Sequence, residues 1–402
     1  MLTRRRFLLL LPAATASAQD LASIFHKKKP APPPPTHVYF GTDTTNGASK
    51  GIYRARFDSL TGSLTSPLLA AATERPSFLA FTPARSGRRF LYAVNAINNP
   101  AATVTSFAVE KNGGLRHIGK VPSGGAGPAY VSVDATGQAG FVANYFGSSV
   151  TSFRIQPDGA LSQPVDQLDF NDHAKFGALG PNAARQDRSH PHCVTISPDN
   201  RFLLVCDLGT DHICVFSINP ETAQLTTSEP HLFTNGRPGS GNRHVVFHPN
   251  GRWIYGINEI DSTIDHYLWT ETHALTPPQG LLVNTNHFVK TIAPDFPAEK
   301  NTAAEIAVSP DGNFLYASNR GEDTLVVFSI SQENGRMTLV QRISSGGKTP
   351  RHFTLDPTAQ WIVCGNQDSA TVTVFRRDMG TGRLTGPTQT VALDSVMYTL
   401  FA

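Results

Sequence analysis

Ile306-Ala307-Val308-Ser309-Pro310-Asp311-Gly312-Asn313-Phe314-Leu315-Tyr316-Ala317-Ser318-Asn319, followed after a polar turn by Thr324-Leu325-Val326-Val327-Phe328, is the stretch whose reading decides the fold. Its apolar runs are short and rich in Val, Phe, Leu and Tyr, as buried strands require. Pro310 presets φ for the first turn position and Gly312 supplies a positive φ, so Pro-Asp-Gly reads as a tight turn between two strands. The unit recurs. Val194–Ser197, Pro198-Asp199-Asn200, Phe202–Asp207 and His212–Phe216 form one copy, and Val245–His248, Pro249-Asn250-Gly251 and Trp253–Asn258 belong to another. The residue closing the second strand recurs at Asn95, Asn144, Asp207, Asn258, Asn319 and Asn366, with an earlier equivalent around Thr42-Asp43, which makes seven. A Gly-x-Leu-type marker closes the units at Gly62–Leu64, Gly113–Leu115, Gly159–Leu161, Gly335–Met337 and Gly382–Leu384. Repeats of about 40–50 residues built from four short strands are propeller blades. The expected fold is therefore all-β, a seven-bladed β-propeller of four-stranded antiparallel blades. No stretch carries sustained helical periodicity, and a β-sandwich leaves seven similar repeats unexplained.

A repeat architecture also accommodates the length. A chain of 402 residues exceeds the usual single domain, but each blade needs only its neighbours for a core. The Val391–Leu400 segment, strand-like and C-terminal, is expected to pair with His37–Thr42 and close the ring. Two spacings between successive markers are long, with the extra residues near 166–189 and 280–303, and loops of this length often bind ligands.

The N-terminal end reads differently. Arg4-Arg5-Arg6 precedes an apolar run through Leu11, and Ala16-Ser17-Ala18 fits an A-x-A cleavage site. Residues 1–18 read as a twin-arginine signal peptide and residues 19–36 as a Lys/Pro-rich linker containing Lys27-Lys28-Lys29 and Pro32–Pro35. Residues 37–402 are the propeller, expected to be periplasmic or secreted. The apolar run is shorter than the ~20 residues a bilayer demands, so no transmembrane span is expected in the mature chain. A formal net charge of +3, partly contributed by this leader and linker, leaves the body near neutral and argues against a nucleic-acid partner. Four cysteines make no disulfide framework, and no Cys/His spacing suggests zinc, so buried thiols and no metal or cofactor are expected. A monomer acting on a small molecule fits this profile.

Propeller sites lie at one end of the central channel, so polar residues that break the repeat are the candidates. His190-Pro191-His192 precedes the inner strand of the fourth unit, and Asn242-Arg243-His244 stands at the same place one unit on. Glu259 follows Asn258, and Arg320 follows Asn319 at the same offset. Glu305 and Arg351-His352 lie near inner-strand starts and join His190 as substrate-binding candidates. Arginine forks suit carboxylates and oxyanions, and a histidine or carboxylate can move a proton. No G-x-S-x-G elbow offers a serine nucleophile.

Together, His190-Pro191-His192, Cys206–Asp211, Gly241-Asn242-Arg243-His244, Asn258-Glu259, Ala303-Ala304-Glu305 and Ser318-Asn319-Arg320-Gly321 resemble the seven-bladed lactonase family, which includes propeller 6-phosphogluconolactonases and carboxy-muconate lactonizing enzymes. The resemblance spans essentially 37–402 and implies a metal-independent site formed by His192, Arg243, Glu259 and Arg320. It implies a lactonase-like hydrolase; with the export signal, the expected substrate is a sugar-derived or carboxylated lactone in the cell envelope. The alternative is a non-catalytic envelope propeller that binds a ligand or protein.

Overall fold

The computed structural model describes residues 36–402, apart from 86, 226–230, 235 and 273–278. The expected leader and all of the expected linker but Thr36 lie outside the described residues; Thr36 already belongs to a blade 1 strand, Thr36–Thr42. Seven antiparallel sheets form the blades. Blade 2 comprises Pro76–Phe81, Phe90–Asn95, Thr103–Val109 and Leu115–Pro122, listed from the channel outward. Blades 3 to 7 begin with the inner strands Pro128–Val133, Pro191–Ile196, Asn242–Phe247, Thr302–Val308 and Pro350–Leu355. Blade 1 is composite: Val396–Phe401, from the C-terminal end, is its inner strand and pairs with Thr36–Thr42. Blades 1 and 4 each carry one additional short strand.

Two expectations need correction. Val391–Leu400 is not one strand: Val391 belongs to the outer strand of blade 7, Leu384–Ala392, and closure uses Val396–Phe401. Likewise, the 280–303 insertion is half strand. Gln279–Lys290 is the outer strand of blade 5, and its sequence Gln-Gly-Leu-Leu-Val-Asn-Thr-Asn resembles a loop because an outer strand is half-exposed.

The repeat markers have structural causes. Gly312, at φ +72°, and Asn200, at φ +62°, occupy the same left-handed turn position in blades 6 and 4. Asn144 is fully buried and donates to the Ser123 carbonyl at 3.0 Å and to Ser149 Oγ at 3.1 Å; Asn366 donates to Thr373 Oγ1 at 3.1 Å. These amides tie the second strand of a blade to its third strand and to the incoming chain. The Gly-x-Leu marker latches neighbouring blades. Tyr39, Tyr92, Tyr255 and Tyr316 donate from one blade to the carbonyls of Gly113, Gly159, Gly335 and Gly382 of the next, at 2.8–3.0 Å. The accompanying Leu161 and Leu384 are buried between blades. All four cysteines are buried and free.

Each blade's inner strand starts, and its second strand ends, at one common face. We call it the front; the opposite face is the back. In blades 1 to 7 the pairing of inner and second strand slips at the front. One residue per blade is thereby left unpaired, at Met397, Ser77, Ala129, His192, Arg243 and Arg351; in blade 6 the slip spans Ala304 and Glu305. A bulge of this kind re-aims a side chain, and here it places one ring of side chains around the channel.

Candidate active site

The front of the channel holds a cavity of about 330 Å³ lined by five of the bulge residues: Met397, Ser77, Ala129, His192 and Arg351. Arg243 lies just beneath, beside His192 and Arg351, in a narrower cleft that leads down to Glu305. Residues at or just past the ends of the second strands complete the wall, including Tyr145, Glu259 and Arg320.

Glu259 is the hub. It is 4 % exposed. Its Oε2 accepts from Arg243 Nε at 3.0 Å and lies 2.9 Å from Arg320 Nη2, while Oε1 accepts from Arg185 Nη2. Burial alone would raise this carboxyl, but the Arg320, Arg243 and Arg185 guanidinium groups outweigh it and hold Glu259 well below the usual carboxylate range. An ionised carboxylate saturated by three cations is a poor base. It fixes the arginines instead.

His192 Nε2 stands 4.0 Å from Glu259 Oε2, and its buried Nδ1 has no partner among the described residues. Burial, reinforced by Arg243 and His244, pushes His192 well below the ordinary histidine value, so the ring is neutral near pH 7 and its contact with Glu259 is not an ion pair. A neutral imidazole with a free nitrogen can accept a proton. His190 is differently placed. Nδ1 faces the Tyr145 carbonyl at 3.0 Å, Nε2 faces Asp187 Oδ1 at 2.9 Å, and the ring stacks on Tyr145 at 4.2 Å. Both nitrogens are occupied, which makes His190 a wall of the pocket rather than a proton acceptor.

Arg351 is half-buried and has no hydrogen-bond partner among the described residues. Burial and the neighbouring Arg320 and Arg243 charges bring it down to about 9, and burial with Arg320 brings Arg243 to about 10. Both remain cationic at neutral pH, so Arg351 presents an unsatisfied cation to the cavity. Below them, Glu305 Oε2 lies 3.2 Å from both His244 Nδ1 and His352 Nε2. Burial raises Glu305, and it lowers His352 to about 4. Among the described residues no group of three or more His, Cys, Asp or Glu side chains is placed to hold a metal.

The structure thus brings together His192, Arg243, Glu259, Arg320, His190 and Arg351, with Glu305 one layer deeper. Sequence reasoning missed Arg185, Tyr145 and Arg75. Arg185 sits in the long segment entering blade 4, already conspicuous by its length. Arg75, in the loop entering blade 2, is positioned by Asp43 at 3.2 Å and has no counterpart in the repeat.

Residues 37–401 match the family described as Lactonase, 7-bladed beta-propeller. The chain belongs to that family. Among its relatives is a Bacillus subtilis (strain 168) 6-phosphogluconolactonase, 31% identical over 88% of this chain and 95% of the relative. Among solved structures, the periplasmic gluconolactonase of Pseudomonas aeruginosa superposes with a TM-score of 0.79 at 30% identity, covering 91% of this chain and 99% of the other. A Lactobacillus plantarum protein superposes at 0.80 with 32% identity, over 92% and 99% of the two chains.

Proposed function

We propose that this protein hydrolyses a sugar-derived or carboxylated lactone in the cell envelope. The observation that carries this reading is Arg351, a cation with no hydrogen-bond partner among the described residues, facing a cavity in which Arg243, Arg320 and Arg185 are already held by one carboxylate. An anionic or strongly polar lactone satisfies Arg351. Its carbonyl oxygen then meets the arginine cluster, which stabilises the negative charge that develops on attack. Water loses a proton to the neutral His192 ring as its oxygen bonds to the carbonyl carbon. The ring C–O bond then breaks and the proton passes to the departing alkoxide, leaving the hydroxy acid. Glu259, 4.0 Å from the ring, favours the transient imidazolium.

The envelope location is supported by the twin-arginine sequence and by the likeness to a periplasmic gluconolactonase. Replacing Arg5 and Arg6 with Lys should retain the protein in the cytoplasm; continued appearance in the periplasmic fraction would refute export by that route. The function is tested by proton release at near-neutral pH with glucono-δ-lactone, 6-phosphogluconolactone and a muconolactone, corrected for spontaneous opening. Turnover of an acidic lactone that Arg351→Ala loses more severely than turnover of the neutral lactone supports the reading. No enzyme-dependent rate on any of the three would leave a binding module in its place.

A further inference from the structure

The back face has a different chemistry from the front. There the channel opens into a second cavity, of about 350 Å³, whose walls include Phe81, Val133, Leu400 and Phe401, with Arg89 as the one charged residue on its rim. The Arg89 guanidinium lies 4.2 Å from the centre of the Phe81 ring. The Phe78 ring packs at a tilt against Tyr130 and Tyr398, 3.8 and 3.9 Å between ring centres, and the three separate this cavity from the reactive pocket. Beside it, between blades 2 and 3, runs a groove of about 410 Å³ that contains Arg85, Arg88 and Arg154 and no acidic side chain. All three are exposed, and none has a side-chain partner among the described residues. Leu60, at the tip of a blade 1 turn on this face, is 61 % exposed. The chain also enters the propeller here: Thr36 Oγ1 donates to the Ala402 carbonyl at 3.2 Å, and Lys27-Lys28-Lys29 stand shortly upstream in the sequence.

An apolar mouth beside a groove of arginines that have no side-chain partner among the described residues matches a layer that is anionic at its surface and apolar beneath it. We propose that the back face of blades 1–3 docks on a lipid surface bearing anionic phosphate headgroups. Arg85, Arg88 and Arg154 meet the phosphates, while Leu60 and the channel mouth meet the acyl boundary. Charge complementarity selects this partner over a neutral surface, and the apolar mouth selects it over a soluble polyanion. A front-facing pocket then opens away from the lipid. The proposal goes beyond the lactonase reading and does not depend on it, because binding is measured without substrate.

The test is co-sedimentation of the full chain with vesicles of phosphatidylcholine alone or with about one-third phosphatidylglycerol, at low and physiological salt. Each basic residue near an anionic surface is worth about five-fold in affinity, so the triple variant Arg85→Gln, Arg88→Gln, Arg154→Gln should lose tenfold or more at low salt. None of these residues lines the reactive pocket, so the variant's melting temperature and any lactone turnover should match wild type. Leu60→Ser should weaken binding further without altering its salt dependence. The proposal is overturned if wild type ignores the anionic vesicles, if it binds neutral ones equally well, or if the triple variant sediments like wild type. It is equally overturned if soluble inorganic polyphosphate is bound as tightly as the vesicles.

Discussion

Blades 1–3 and blades 4–7 present the same backbone bulge to the channel and opposite side chains. On the first arc the re-aimed residues are Met397, Ser77 and Ala129; on the second they are His192, Arg243, the Ala304–Glu305 pair and Arg351. The first arc supplies space and the second supplies charge. A ring of equivalent positions therefore becomes a directional pocket by side-chain choice alone, with the backbone left as it was. The ring of re-aimed residues is lopsided in consequence, with guanidinium and imidazole groups confined to one side, and Arg75 is a cation that a connecting loop adds to the other.

The sharpest way to break this comparison is to truncate both arcs. Arg243→Ala and His192→Ala should each lower lactone turnover by about 10²–10³-fold, the scale of a lost oxyanion donor or general base. Ser77→Ala should change it by no more than a few-fold. Steady-state rates on all three variants decide the matter, and a Ser77 effect equal to that of Arg243 would abolish the distinction.

A milder intervention fills the space. Ala129→Leu should raise KM about tenfold with little change in kcat, because it narrows the binding wall without touching the reactive arc. If kcat falls instead, Ala129 borders the reacting atoms.

Acid should affect the two arcs unequally. His192, His244 and His352 are all held below the ordinary value of 6.5 by burial, His352 at about 4. The unfolded chain takes up these protons first, so their stabilising contribution is complete above pH 6.5 and is lost as pH falls toward 4. Glu305, raised by burial, acts in the opposite sense and offsets one group of the three. Melting temperature should therefore decline between pH 6.5 and 4, and turnover should fall on the acid side as His192 takes up its proton. A melting temperature that stays level across this window would contradict the assignment of the rings as neutral.

The smallest effect belongs to the repeat itself. Asn366→Ala should cost about 1–3 kcal/mol by removing the donor to the Thr373 hydroxyl oxygen, while the Ser345 carbonyl keeps the Thr373 hydroxyl as its donor, and should leave turnover unchanged. Chemical denaturation measures it.

These contrasts also explain what could be read from the chain. The Pro-Asp-Gly turns, the buried amides and the Gly-x-Leu latches are local features that recur from blade to blade, so the blades were legible. His192, Arg243, Glu259 and Arg320 stood out as polar exceptions at repeating offsets. The bulge did not stand out, because a one-residue slip of register leaves no compositional mark; its trace is the recurring Pro-x at Pro76-Ser77, Pro128-Ala129, Pro191-His192 and Pro350-Arg351. Arg185 and Arg75 come from connecting loops, which share no pattern with the blades. His190 was legible as a site residue; its partner Asp187 stands only three residues away in the sequence, but the Tyr145 carbonyl comes from blade 3 and only the fold brings it to the ring.

Closure through blade 1 has a temporal meaning. The inner strand Val396–Phe401 is the last strand of the propeller in chain order, and Met397 on it is a wall of the reactive cavity. The ring stays open, and the cavity lacks a side, until that strand has been made. A nascent chain thus carries all the charged residues of the site before it has the enclosure that makes them useful. Loss of this one strand would leave every one of those groups in the sequence and none in a finished pocket.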